Sequence, residues 1–347
     1  MSDIASVDKN FKIETKIQKA DIRFYNALSE PFKVYGVYYE DGKFRRMPES
    51  VAKKVSPGVH YLHANTAGGR VRFRTNSPYV AISAKMEKIT RMDHFPLCGS
   101  AGFDIYVDNV YVKTFRPPYD MADGYESLAE LGAAEEREIT INLPLYSDVC
   151  ELYIGLASDA EIYAPTPYRV EKPVVYYGSS VTQGGCASRP GTCYQAFLSR
   201  WLDCDHINLG FSGNAKGEEE MADYIATLDM SAFVSDYDYN TPNAEHLAAT
   251  HERLFEKVRR AHPDMPIVIV TRPKPYYSEG EDLDCFAVAK RTYENAIAKG
   301  DKNVRFIDGR TLMEIAGTEG TVDTVHPTDF GFYSMAKRIL EELRELI

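Results

Sequence analysis

From position 174 to the C-terminus, compact apolar runs alternate with longer amphipathic stretches, and few architectures accept that rhythm. The runs predict strands over 174–177, 206–209, 232–235, 266–271 and 304–307. Between and after them, helical periodicity covers 192–203, 216–228, 243–261, 284–299 and about 327–346. In the last of these Phe332, Met335, Ala336, Ile339, Leu340 and Leu343 recur on one face. Strict alternation of strand and helix calls for a parallel sheet covered on both sides. Ligands of such sheets sit beyond the carboxyl ends of the strands, so the residues just after each strand carry the functional question.

The first half follows a different period. Short strands are expected over 34–39 and 43–47 around Glu40-Asp41-Gly42, over 71–75 and 79–86, and over 103–107 and 111–115 around Asp108-Asn109. Two more, at 137–143 and 151–156, complete the set, with no convincing long helix among them. An all-β sandwich of jelly-roll type fits this pattern. The rhythm changes in the proline-containing stretch 164–169, and 347 residues exceed one average domain. The expected division is a β-sandwich accessory or substrate-binding domain at 1–168 and an α/β catalytic domain at 169–347.

A formal net charge of −11, with no basic stripe, argues against nucleic acid and against an anionic membrane surface as partners. No run approaches the ~20 apolar residues of a spanning helix. The N-terminus has no apolar core and cleavage site of an export signal. The six cysteines lack metal-ligand spacing. Reduced thiols in a cytoplasmic protein are therefore the expectation. A homo-oligomer is compatible with the sequence.

Four signals stand at strand ends. Gly178-Ser179-Ser180-Val181-Thr182 follows the first strand, where a serine in a tight turn is open to attack a substrate from above. A plain Gly/Ser loop is the blander reading, and a phosphate loop fails for want of a GKS or GKT ending. Asn208-Leu-Gly-Phe-Ser-Gly213 follows the second strand and offers backbone N–H groups free of side chains, unless these are ordinary turn glycines. Asn240, after the third strand, is able to donate to a developing oxyanion or simply to cap the next helix. Asp323-Thr-Val-His326-Pro327 puts a carboxylate within reach of one imidazole nitrogen while the other is left for a serine, and Pro327 is expected to open the last helix. A satisfied surface histidine is the alternative.

As an ordered set these blocks resemble the SGNH, or GDSL, hydrolase superfamily, whose blocks are a GDS-like serine, NxGxxG, an essential asparagine and DxxH. The resemblance covers about 174–347. It implies a flavodoxin-like three-layer α/β sandwich, with Ser180 as nucleophile, His326 as general base and then acid, and Asp323 orienting it. It also implies an oxyanion hole from the Ser180 and Gly213 N–H groups and the Asn240 amide, and it needs no cofactor or metal. Ser179 replaces the Asp of GDS, and Asp238-Tyr-Asn240-Thr241 replaces GxND, so the branch is a divergent one. With a β-domain ahead of it, the pattern is similar to two-domain carbohydrate esterases, family 17 acetylmannan esterases in particular.

That resemblance implies removal of O-acetyl groups from oligosaccharides, manno-oligosaccharides foremost, with the β-domain acting as a carbohydrate-binding module or as one wall of the cleft. Arg189 in the loop after Ser180, Tyr276 and Tyr277 after the fourth strand, and Asp93 and His94 in the long loop 92–102 are candidate substrate contacts. Trp201 is expected in the core. Two rivals remain at this point: the same apparatus acting on a thioester, lysophospholipid or other acylated metabolite, and a sugar-binding protein with a vestigial hydrolase fold.

Overall fold

The computed structural model describes residues 17–347; residues 1–16, part of the stretch read for an export signal, lie outside the described residues. The N-terminal half contributes β1 (Ile22–Asn26), β2 (Lys33–Tyr35), the hairpin β3 (Tyr38–Glu40) and β4 (Lys43–Arg45), and two short helices, α1 (Glu49–Val55) and α2 (Pro57–Leu62). It continues through β5 (Arg70–Thr75), β6 (Tyr79–Lys85), α3 (Leu97–Ser100), β7 (Phe103–Val107) and β8 (Val110–Phe115). β9 (Gly124–Glu130), β10 (Arg137–Asn142), β11 (Glu151–Ala157) and β12 (Ile162–Tyr163) close it.

These strands form an antiparallel four-stranded sheet, β1-β11-β6-β9, and a six-stranded sheet, β12-β5-β10-β7-β8 with β2 also on β5. Alternation explains the sandwich. Val71, Phe73, Ile105, Ile139 and Ile141 of one sheet meet Val80, Ile82, Leu152, Ile154 and Leu156 of the other in a single buried core. Both expected hairpin turns are present: Asp41-Gly42 and Asp108-Asn109 each place two successive residues at positive φ, the twist that suits a two-residue hairpin. The strands missed by sequence reading, β1, β9 and β12, are short, polar or at an edge. The missed helices α1 and α2 do carry a signal, since Ser56 caps α2 and Pro57 opens it.

The C-terminal half contributes β13 (Val170–Gly178), α4 (Ser180–Gln183), α5 (Tyr194–Leu202), β14 (Cys204–Gly210), α6 (Glu219–Ala226) and β15 (Ala232–Asp236). Then follow α7 (Ala244–Ala261), β16 (Ile267–Val270), α8 (Glu281–Ala298), β17 (Val304–Ile307) and α9 (Asp329–Leu346). The five strands are parallel in the order β14-β13-β15-β16-β17. Along β13, Val175 and Tyr177 face the helical layer of α6, α7 and α8, while Val174 and Tyr176 face α5 and α9. This is the flavodoxin-like α/β sandwich expected of the alternating half.

The two halves share a core. Val55, Val59 and Leu62 of α1 and α2 pack in the same cluster as Met221, Leu254 and Phe233, so these helices extend the first helical layer of the α/β half. Arg70 on β5 is fully buried, donates to the Asp205 carboxylate, and holds the Tyr168 hydroxyl at 2.8 Å. The proline-containing connection is therefore docked at Tyr168.

Two expectations need correction. The last helix starts at Asp329 with Thr328 as its cap, and Pro327 lies before the cap, paired across the loop with Thr321. Trp201 is 36% exposed. It lies at the edge of the buried face of α5 that Tyr194, Leu198 and Leu202 form, stacked on Phe197 and edge-on to Tyr333.

Candidate active site

At the end of β13 the chain turns at once. A Cβ on Gly178 would lie 2.0 Å from the Asp236 carbonyl oxygen and 2.1 Å from Thr182 Oγ1, so only glycine lets β13 and β15 stay paired here. Ser179 caps the short helix α4 by accepting the Val181 N–H, and Ser180 is the first helical residue. Its carbonyl accepts the Gly185 N–H at 2.8 Å and the Tyr146 hydroxyl at 3.2 Å. Those bonds fix the backbone and leave the hydroxyl to face the loop before α9.

That loop is folded around Asp323. One carboxylate oxygen accepts the N–H groups of Val325 (3.1 Å) and His326 (2.7 Å), and the other faces His326 Nδ1 at 2.7 Å. Thr324, at φ 70°, makes the curl that aims both N–H groups back. What burial Asp323 has would raise its pKa, but the bonds from His326 and Val325 outweigh it and hold the carboxyl below its ordinary range. With Nδ1 committed, His326 Nε2 lies 2.9 Å from Ser180 Oγ. Three side chains from two distant segments thus form one hydrogen-bonded line.

Two further expected donors follow the neighbouring strands β14 and β15. Gly213, at φ 69°, has no atom within 4 Å of where a Cβ would be, so its peptide borders open space. Asn240 sits in the single turn Asp238–Asn240, half-buried, and its carbonyl oxygen accepts the Ala215 N–H at 3.3 Å. That bond leaves the amide NH₂ as the free end. Asn208 is structural, donating to the Thr182 carbonyl at 2.7 Å and accepting from Gly210 N–H at 2.9 Å.

Several contacts escaped sequence reading because they join residues far apart along the chain. Gln183, fully buried, accepts the Ser212 N–H at 3.0 Å and donates to Asn65 at 3.1 Å, and Asn65 donates to Asp148 at 2.8 Å. The Gly213 loop is thereby tied to the β-sandwich. Asp236 and Asp238 are both buried. Burial, together with the neighbouring Asp238, pushes the Asp236 carboxyl well above its usual range. Asp238 is also raised, chiefly by burial, although Arg272 bonds it through its N–H and Nε, both at 3.2 Å.

The candidate substrate contacts separate. Arg189 turns away to the β-sandwich, donating to buried Asp104 (3.2 Å) and Tyr106 (2.5 Å) and lying 3.8 Å over the Tyr111 ring. Tyr277 folds inward, its hydroxyl on Thr271 and the Arg272 carbonyl. Tyr276 is exposed and lines a cleft of about 300 Å³ with Lys274, Thr321 and Thr324, alongside the Asp323 loop. His94 comes to the site: its ring centroid is 5.4 Å from that of His326, and its Nδ1 is 3.1 Å from exposed Asp93. Loop 92–102 reaches the site because Gly99 and Ala187 are in backbone contact, with no room for a Cβ. Cys186, buried at φ 72°, joins His94 and His326 in a group whose nitrogen and sulfur atoms lie within 4.8 Å of one another.

A serine hydroxyl on a strand-to-helix turn, 2.9 Å from an imidazole that a carboxylate orients, is the arrangement of an acyl-transferring hydrolase of α/β type. Residues 171–344 match the GDSL-like lipase/acylhydrolase family, and residues 22–162 match the family described as the N-terminus of SGNH-hydro-type esterases. The chain belongs to the GDSL-like lipase/acylhydrolase family and is a serine ester hydrolase.

Solved structures extend the likeness over both halves. A protein described as a GDSL-like lipase from Bacteroides ovatus is 29% identical with a TM-score of 0.83, covering 94% of this chain and 98% of its own. The salicylyl-acyltransferase SsfX3 of a tetracycline biosynthetic pathway is 20% identical with a TM-score of 0.78, covering 95% and 98%. A family two carbohydrate esterase from Clostridium thermocellum, solved with cellohexaose, is 15% identical with a TM-score of 0.65, covering 90% and 98%. None of the curated proteins compared with the chain matches it. Among the described residues, no helix is long and apolar enough to cross a membrane.

Proposed function

We propose that this hydrolase removes O-acetyl groups from an oligosaccharide, manno-oligosaccharides foremost, through an acyl-enzyme on Ser180. The reading is carried by the 2.9 Å contact between Ser180 Oγ and His326 Nε2. Ser180 gives its proton to Nε2 as Oγ attacks the ester carbonyl. The Ser180 and Gly213 N–H groups and the Asn240 amide meet the developing oxyanion. His326 then returns the proton to the sugar oxygen as the C–O bond breaks. Water repeats the sequence and releases acetate. Asp323 keeps the proton on Nδ1, so that Nε2 is the basic nitrogen.

Support for a sugar comes from the bound cellohexaose of the clostridial neighbour and from the resemblance to two-domain carbohydrate esterases. Exposed Tyr276 at the cleft supplies an aromatic face, and Asp93 and His94 of the β-sandwich supply polar groups beside His326. The six cysteines are free thiols, which suits a reducing cytoplasmic setting and short, soluble substrates.

Acetate release from acetylated manno-, cello- and xylo-oligosaccharides, and from p-nitrophenyl acetate and an acetyl thioester, tests the reading. Ser180→Ala is expected to lower turnover by about 10⁴–10⁶ while the circular dichroism spectrum is unchanged. Undiminished activity of Ser180→Ala would overturn the triad, and a preference for the thioester over every sugar ester would overturn the substrate class.

A further inference from the structure

We propose that His94, Cys186 and His326 form a chelating site for Zn²⁺, and that the bound cation switches the hydrolase off. The inference rests on His326 being the base of the reaction. One ring nitrogen of each histidine and the Cys186 sulfur lie within 4.8 Å of one another, brought from three separate segments of the chain. A tetrahedral zinc with N ligands at about 2.0–2.1 Å and S at about 2.3 Å needs ligand atoms roughly 3.5 Å apart. Closing by about an ångström falls mainly to His94, which stands on the short loop between Met92 and Phe95.

The ligand type and its surroundings both favour zinc. Two imidazoles and a thiol offer no oxygen to Ca²⁺ or Mg²⁺ but are a zinc donor set. Both histidines already have Nδ1 on a carboxylate: His326 on Asp323 at 2.7 Å and His94 on Asp93 at 3.1 Å. Metal-binding histidines are commonly held by a carboxylate on the nitrogen away from the metal, which raises the basicity of the other nitrogen. Here that other nitrogen is Nε2 on each ring. Cys186 is the third ligand, and its buried position beside the catalytic loop is given no other task by the triad mechanism. On binding, two N–Zn bonds and one S–Zn bond form, and the thiol proton passes to solvent. No electron is transferred. The lone pair of His326 Nε2 that would accept the Ser180 proton is then held by the metal, so the first step of acyl transfer stops. The fourth coordination position is left for water.

The experiment uses the full chain, Zn²⁺ for turnover and Co²⁺ as its spectroscopic stand-in. Zn²⁺ is expected to inhibit p-nitrophenyl acetate hydrolysis reversibly, with a chelator restoring it. Co²⁺ is expected to give the near-ultraviolet absorption of a thiolate–cobalt bond. Cys186→Ser is expected to keep basal turnover, lose that absorption and weaken inhibition by at least about 10–100-fold, the loss that removing even an outer partner of a ligand brings. His94→Ala should weaken inhibition to a similar extent while the thermal melt confirms the fold. Ser180→Ala should still bind Co²⁺, which separates this site from the nucleophile. The proposal is overturned if the wild type gives no thiolate–cobalt absorption, if hydrolysis continues with the metal bound, or if both variants are inhibited as strongly as the wild type. Activity surviving in His326→Ala would instead remove the triad reading, whatever the cobalt spectrum shows.

Discussion

In the proposed mechanism Asn240 is the one side chain that donates to the oxyanion. Its carbonyl oxygen is occupied by the Ala215 N–H, so the amide NH₂ is oriented without any substrate to hold it. A donor fixed in advance costs no reorganisation when charge develops, and this is where most of its catalytic value lies. Asn240→Ala is expected to lower kcat by about 10²–10³, with KM close to the wild-type value because ground-state binding does not use it. Steady-state kinetics on p-nitrophenyl acetate check this, and an equal rise in KM with kcat intact would assign Asn240 to substrate binding. Ser180, Asn240, Asp323 and His326 could be found in the sequence because each follows a strand or precedes a helix in a fixed order. Gln183 and Tyr146 could not. Their partners are far along the chain, as in the Gln183–Asn65 bond between the two halves, and no local spacing encodes such a contact.

At the scale of elements, the junction of β13 with α4 sets where the nucleophile stands. Gly178→Ala puts a methyl against the Asp236 carbonyl oxygen, which belongs to the paired strand and cannot rotate away. Overpacking of that kind costs about 1–3 kcal/mol. Displacing Ser180 by even an ångström should lower kcat by about 10². Calorimetry and kinetics on one preparation check both, and full activity at an unchanged melting temperature would mean that the two strands are not held as described. The strands and helices of this half were legible because period 2 and period 3.6 alternate cleanly along the chain. Exceptions have physical causes. Pro327 looks like a helix opener, yet Thr328 accepts the Gly331 N–H, and a side-chain cap decides where a helix begins. Trp201 looks like core by hydrophobicity, but it stands at the edge of the buried face of α5, beside Phe197 and Tyr333. Helices as short as α1 and α2 are stabilised by the α/β core they join more than by their own periodicity.

The molecule as a whole behaves as one folding unit if the contacts between its halves are as strong as their burial implies. Arg46 gives the sharpest instance. It follows β4 of the sandwich, is 2% exposed, and donates to the carbonyls of Leu62 (2.8 Å), Asn208 (3.2 Å) and Gly210 (2.5 Å) while lying 4.7 Å over the Phe211 ring. Burial draws its pKa down to about 9, so at neutral pH it remains charged and depends on those carbonyls for its solvation. Arg46→Leu removes the cation and leaves the carbonyls of β14 without this donor, at a cost of about 2–4 kcal/mol. Since α1 and α2 lie in the α/β core and Arg70 bonds Asp205 across the same boundary, that loss should be felt by both halves together. Scanning calorimetry is expected to show a single transition in the wild type and in Arg46→Leu, with the melting temperature of the variant lower by several degrees. Two transitions, only one of them shifted, would mean that sandwich and sheet unfold independently. The reach of the sandwich into the active site through His94 and through Asn65, which Gln183 bonds, would then have to survive a loosened interface, and activity would be expected to fall well before the α/β half melts.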